Sequence, residues 1–309
     1  MKSGAVFQCV PNISEGRRAE VITSAAESIA SIGGVKLLDY SSDTDHNRSV
    51  FTLLGCAEGI GKSILKLYEI ALECIDMHKH KGVHPRIGAV DVVPFVPIEN
   101  ASMEDAKELA SSVAREVADR FSVPIYLYGE SALKSERVSL AYLRRGGWEA
   151  LEKEGLASPE RYPDLGPARL HERLGASCFG ARGPLVAFNV FLNTQDVSVA
   201  KSVAKRLRAG TGGLAFVKAL GLAIPSQGCV QVSMNLTNPS RTALYTALEM
   251  VRMEARRFGV AVLRSELIGV MSLAAACDSL SYYMQLPELT PGRILENGLL
   301  ELHRPQSGI

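Results

Sequence analysis

Apolar residues recur along this chain with two alternating periods, and each switch between them marks a change of element. Val6 to Ile13 alternates as a strand does, and Val21, Ala25, Ile29 and Ile32 then share one face of a helix that Gly33-Gly34 ends. Val35 to Asp39 and Val50 to Gly55 predict two more strands joined by the polar run SSDTDHNR. Ile64, Tyr68, Ala71 and Ile75 return to helical spacing, and Val90 to Val96 reads as a buried strand. The order is βαββαβ. A further helix is predicted from Ser102, where Asp105 three residues on makes a capping box, with Ala106, Leu109, Val113, Val117 and Phe121 on one face. A short strand, Pro124 to Tyr128, follows it.

The second half repeats the order. Leu185 to Leu192 predicts a strand, and Ala200, Val203 and Leu207 a helix ending near Gly210. Strands follow at Leu214 to Ala219 and Val230 to Leu236. Pro239 opens a helix bearing Leu244, Ala247, Val251, Ala255 and Phe258, and Val260 to Leu263 closes the set. Two such units predict an α+β fold of two ferredoxin-like βαββαβ subdomains, 1–180 and 181–309, with helices over one face of each antiparallel sheet. Between the halves, residues 146–182 break the periodicity with Gly, Pro and charge, starting beside Trp148. That stretch is either a solvated connector or a ligand-covering loop in a cleft between the halves.

Composition narrows the function classes. The 309 residues are 47% hydrophobic and 22% charged with a formal net charge of +1, an ordinary globular balance with no field to attract nucleic acid or an acidic membrane. The start lacks the apolar core of a secretory signal, and no apolar run is long enough to span a bilayer. Six scattered cysteines without a C-x-x-C pair predict reduced, mostly buried thiols and a cytoplasmic protein. P-loop, dinucleotide and G-x-S-x-G signatures are absent.

The chemistry concentrates in IDMHKHKGVHPRIGAVDVVPFVP, which holds three of the six histidines, His78, His80 and His84. Imidazole titrates nearest neutrality, so the cluster points to proton transfer or metal binding. Lys79 and Lys81 stand where a divalent ion would sit, and His46, His171 and His303 complete no ligand set, so no metal is expected. His84 is the best acid/base candidate, fixed between Gly82 and Pro85, with Arg86 near enough to hold an acidic group. His78 is expected in the last helical turn, where the helix C-terminus alone explains it. His80 is expected either at the surface or as a hydrogen-bond partner that orients the others. Asn12 to Gly16, Asp45 to Arg48 and Gly180 to Gly183 are each explained by caps and turns. Together with the histidine loop they form a polar set at element ends, as a ligand site requires.

These strings resemble one family. CVPNISEGRR, LLDYSSDTDHNRSVFTLLG, the histidine block, VPIYLYGESA, PDLGP, GAR, AFNVFLNT, QVSMNLTN and SELIGV are collinear with glutamate formiminotransferases over nearly the whole chain, and the HxGxHPRxGAxDVxPFxP block is the most specific. The resemblance implies two subdomains facing a substrate cleft, a homodimer, and a stand-alone form without a cyclodeaminase. It implies transfer of a formimino group from N-formimino-L-glutamate to the co-substrate tetrahydrofolate, giving 5-formiminotetrahydrofolate and L-glutamate in histidine degradation. His84 falls on the family's catalytic histidine. The stretch after PDxGP falls on its folate site: Gly166, Pro167, Ala168, Arg169, Leu170, His171, Glu172, Arg173, Leu174 and Gly175. Asn12, Asn47, Arg48, His80, Arg86 and Arg182 are expected to contact the substrates, whose carboxylates suit the arginines. Two readings stand beside this one: formyl transfer between 5-formyltetrahydrofolate and glutamate, and a folate-binding protein without turnover.

Overall fold

The computed structural model describes residues 4–156 and 158–303. The chain divides into two compact units, Met1–Pro184 and Leu185–Ile309.

In chain order the first unit contains β1 (Val6–Cys9), β2 (Asn12–Ile13), α1 (Ala19–Ala30), β3 (Val35–Asp43), β4 (Arg48–Gly55), α2 (Ala57–Cys74), β5 (Val90–Glu99), α3 (Met103–Phe121), β6 (Ile125–Gly129), α4 (Leu140–Leu143), α5 (Gly147–Glu154) and β7 (Ser177–Ala181). β1 and β2 are pieces of one strand, each antiparallel to β4 on one side and β5 on the other. Pro11 lies at the break. It lacks an N–H for the ladder, but its carbonyl still accepts from Phe51 N at 3.0 Å.

The sheet order β3-β4-β1/β2-β5, with α1 and α2 as the connections, is the expected βαββαβ plan. Two further strands extend it. β7 lies beside β5 and β6 beside β7, both pairs parallel, so this sheet is mixed where an antiparallel one was expected. α3 supplies the crossover that parallel strands require. Its start carries the predicted cap: Ser102 Oγ accepts from Asp105 N at 3.1 Å, and Asp105 Oδ2 accepts from Ser102 N at 2.8 Å.

The main core lies between the sheet and α1–α3, around Phe7, Phe51, Ile64, Tyr68, Val113 and Phe179. A second layer covers the opposite face at its β5–β7–β6 end, where Leu143, Leu151 and Leu156 pack on Val92, Tyr126 and Cys178. Each buried leucine there contributes roughly 1.5–3 kcal/mol. Residues 146–182 are therefore neither a solvated connector nor structureless, since α5 and β7 fall within them and belong to the first unit. PDLGP is fastened by fully buried Arg137, which pairs with Asp164 at 2.7 Å, donates to the Tyr162 carbonyl at 2.6 Å and lies over the Tyr126 ring. A division at 180 would cut β7 one residue before its end.

The second unit contains β8 (Val186–Leu192), α6 (Val197–Leu207), β9 (Val217–Ile224), β10 (Cys229–Leu236), α7 (Leu244–Arg256), β11 (Val262–Ile268), α8 (Leu273–Met284) and α9 (Leu295–His303). Its sheet order is β11-β8-β10-β9 with every pair antiparallel, the same βαββαβ plan. α7 begins at Leu244 rather than at Pro239. The residues between form a turn in which Thr242 N donates to Asn238 O and Thr242 Oγ1 to Ala215 O. α8 and α9 lie outside the expected pattern. Among the described residues no helix is long and apolar enough to cross a membrane.

Candidate active site

The histidine loop is positioned by the β3–β4 turn. A Cβ on Gly82 would lie 2.2 Å from the His46 carbonyl oxygen, so only glycine lets the two segments approach this closely. Asn47, in the left-handed region at φ 49, then joins three segments. Its Oδ1 accepts from Gly16 N at 2.9 Å, its Nδ2 donates to Lys81 O at 3.0 Å, and its carbonyl accepts from His80 Nε2 at 2.8 Å. His80 Nδ1 accepts in turn from Arg86 Nε at 3.0 Å. The outer edge of Arg86 makes a two-pronged contact with Glu149, at 2.7 and 3.0 Å. A carbonyl accepts and an arginine only donates, so His80 carries its hydrogen on Nε2. Burial holds His80 below the ordinary histidine range, with the Asn47 carbonyl opposing it and Arg86 adding to it.

Asn47, His80 and Arg86, expected on the substrate side, thus commit these groups to holding the loop. His78 lies in a turn beyond α2, which ends at Cys74, so the expected last-turn position is corrected. It is half exposed, 3.2 Å from Glu152 Oε1, with its ring edge-on to buried Trp148.

His84 has different surroundings. Its Nε2 lies 2.8 Å from Arg48 Nη1, which is also 3.3 Å from Asn12 Oδ1. Asn12 Nδ2 donates to the Val10 carbonyl at 3.0 Å, which orients that oxygen toward Arg48. His84 Nδ1 is buried without a well-formed hydrogen bond among the described residues. Burial first, then the charges of Arg48, Arg144 and His46, hold His84 well below the ordinary histidine range, and only the Pro85 backbone favours the charged ring. The His46 ring lies 5.7 Å away, centroid to centroid. His84 therefore favours the neutral imidazole, with the guanidiniums of Arg48 and Arg144 acting on it.

Sequence reasoning missed Arg144, whose charge acts on His84, and Tyr128, which contacts Arg182. Arg144, just after α4, pairs with Asp91 on β5, whose Oδ1 accepts from Ile87 N at 2.7 Å. Tyr128 on β6 hydrogen-bonds Arg182, and burial pushes its phenol up to about 12. Arg182, just past β7, donates from its backbone to Phe95 O and from Nη1 to Gly183 O, both at 3.0 Å. One sequence signal was available: Asp91 interrupts the apolar run AVDVVPFV, and a buried carboxylate calls for a cation elsewhere in the chain.

Residues 166–175 fall into two parts. Gly166, Ala168 and Arg169 are exposed, with Pro167 and Leu170 half-buried. From His171 the chain forms a tight hairpin in which His171 and Gly175 exchange backbone hydrogen bonds at 3.0 Å. His171 Nδ1 accepts from Arg173 N and Leu174 N, and burial lowers its pKa. Arg173 reaches the Glu73 carbonyl at 3.1 Å, and Glu172 is exposed. Leu174 O accepts from Ala89 N at 2.8 Å, and a Cβ on Gly175 would meet Ile87 O at 2.6 Å, so this half backs directly onto the strand leading out of the histidine loop.

In the second unit, the sheet face away from α6 and α7 carries a further polar set. Asn189 Nδ2 donates to Glu266 Oε2 at 3.0 Å. Gln231 is fully buried, and both polar atoms of its amide lack partners among the described residues.

A buried histidine whose neutral form is favoured, beside arginines, has the chemistry that proton transfer to anionic substrates requires. Comparison with known sequences carries this further. Residues 6–182 match the profile described as the formiminotransferase domain, N-terminal subdomain, and residues 187–297 that of the formiminotransferase domain. A protein of Streptococcus pyogenes named glutamate formimidoyltransferase is 42% identical over 296 residues, 96% of this chain and 99% of its own. One of the same name from Thermoplasma acidophilum is 40% identical over 94% of this chain and 96% of its own. The formimidoyltransferase-cyclodeaminase of Rattus norvegicus is 37% identical over 92% of this chain and 53% of its own length. The chain belongs to the formiminotransferase family.

Proposed function

We propose that this protein transfers the formimino group of N-formimino-L-glutamate to tetrahydrofolate, releasing L-glutamate and 5-formiminotetrahydrofolate, with His84 as the general acid/base. The observation that carries the reading is a buried, neutral imidazole set among Arg48, Arg144 and His46, in a chain alike over nearly its full length to proteins named for this activity. A neutral imidazole takes the proton that the attacking nitrogen of the folate loses and returns one to the departing glutamate nitrogen. Holding both substrates together supplies much of the remaining acceleration.

Arg48, Arg144 and Arg182 are the cations we assign to the substrates' carboxylates. Asn12 orients Arg48. Asn47, His80 and Arg86 keep the loop in place, and the exposed part of residues 166–170 borders the folate. The reading also takes the protein as a cytoplasmic homodimer, in keeping with the absence of a disulfide among the described residues; light scattering tests the dimer.

The deciding experiment offers formiminoglutamate with tetrahydrofolate, and separately glutamate with 5-formyltetrahydrofolate, to the purified protein. Turnover of the first pair alone is expected. Turnover confined to the second replaces formimino transfer by formyl transfer, and folate binding without turnover of either overturns the enzyme reading.

A further inference from the structure

The contact between Arg48 and His84 has a consequence for when the base is available. A guanidinium donates and does not accept, so at 2.8 Å the Nε2 of His84 must be the acceptor. A neutral imidazole that accepts at Nε2 keeps its hydrogen on Nδ1. In this arrangement, therefore, the lone pair that would take a proton is already occupied by a donor. The same Nη1 leans on Asn12 Oδ1, a neutral oxygen at 3.3 Å, which is a longer and weaker contact than a carboxylate would make.

We propose that Arg48 holds His84 inactive as a single tautomer until a carboxylate of the amino-acid substrate draws the guanidinium away, so that the base is released only when the site is loaded. Arg48 is then a positioning residue acting through His84. The proposal rests on the acid/base reading of His84 given above. A carboxylate on Arg48 acts in two ways. It removes the donor from Nε2, and it offsets a positive charge that disfavours protonation of the ring. The other charged or titratable groups facing His84 are Arg144, itself paired with Asp91, and His46, which has Asp43 Oδ2 3.9 Å from its Nδ1. Arg48 Nη1 lies within hydrogen-bond distance of the His84 ring. Binding and basicity are thereby coupled: solvent protons meet a capped imidazole, and the substrate meets a free one.

Nitrogen NMR of the full-length protein with labelled histidine reads this directly, using L-glutamate as the anionic probe. In the free protein His84 is expected as the Nδ1–H tautomer. Saturating glutamate is expected to release Nε2 and raise the pH at which His84 titrates by roughly one unit or more. In Arg48→Gln, His84 is expected to titrate higher without any ligand, and glutamate is expected to leave it unmoved. Arg48→Lys, which keeps the charge, is the second variant should the first fail to fold, and there glutamate is expected to move His84 again. An Nε2–H tautomer in the free wild type overturns the proposal. So does glutamate that fails to bind, or that binds with His84 unmoved. The companion measurement is turnover of His84→Ala: near-normal turnover there removes the acid/base reading itself, whatever the resonances of the wild type show.

Discussion

Asn47 grips the histidine loop on both sides of one peptide bond: its carbonyl accepts from the His80 ring at 2.8 Å, while its own amide donates to the Lys81 carbonyl at 3.0 Å. A single turn residue therefore fixes the loop at Lys81, two residues before Val83 and three before His84, and Gly82 lies against the neighbouring His46 carbonyl.

Asn47→Ala is expected to lose both side-chain hydrogen bonds and to strain the left-handed backbone, costing roughly 2–4 kcal/mol of stability. Asn47→Gly relieves the strain and should lose only the hydrogen-bond part. Urea denaturation of the two variants separates the contributions. Equal losses would show that the backbone conformation at 47 does not matter.

His84→Ala is expected to lower turnover by roughly 10²–10⁴-fold while leaving folate affinity within a small factor. His78→Ala should be mild, since the exposed His78 ring rests on Glu152 and Trp148. His80→Ala should fall between them, acting through loop position. Steady-state kinetics on the three variants ranks them, and a ranking led by His78 would move the acid/base role to that residue.

The pH dependence departs from what an ordinary histidine gives. An unperturbed imidazole predicts a rate titrating near neutrality, but burial and its cationic neighbours hold His84 well below 6.5. The rate of the free enzyme on limiting substrate is expected to stay flat through neutrality and fall only in more acidic solution. Stability follows the same sign. His80, His84 and His171 are all lowered in the native state, so below about pH 6.5 the unfolded chain binds more protons than the native one. Their contribution is present above that pH and is lost as the pH falls through the native values. Melting temperatures from about pH 7 downward should decline accordingly. A midpoint that rises on acidification would contradict the assignment.

Hydrogen exchange with and without folate tests residues 166–175 in two parts. New protection is expected at Ala168 to Leu170, whose backbone forms no backbone–backbone hydrogen bond among the described residues. Gly175 and Ala176 already donate to His171 O and Ile87 O and should be protected in both states. Unchanged exchange over 166–170 with folate saturating would remove that stretch from the site.

Much of this was legible in the sequence, and what was not has physical causes. α3 showed both its apolar face and its cap. β7, with sequence SCFGA, is buried on every residue and so has no alternation to betray it. Pro239 offered a good helix start, but Thr242 binding the Ala215 carbonyl keeps the chain in a turn until Leu244. In the site, His84 could be found because the HPR triplet concentrates rare residue types within a few positions. Arg144 could not, because its partner Asp91 lies 53 residues away. Nor can spacing show that Arg86 turns toward Glu149 while Arg48 turns toward His84.

The position of β7 bears on how the site comes into being. β5 and β6 leave the ribosome early and in succession, yet in the finished sheet they are not neighbours; the place between them stays empty until residues 177–181 arrive. The same late stretch provides the carbonyl of Leu174 and the amide of Ala176 that pair with Ala89 and Ile87 behind the histidine loop. A nascent chain can thus hold His84, Arg48 and Arg144 while the edge of β5 is still open and the loop is unbacked. The last strand of this sheet to be made carries none of the groups assigned to proton transfer, yet the backing of the histidine loop waits on its synthesis.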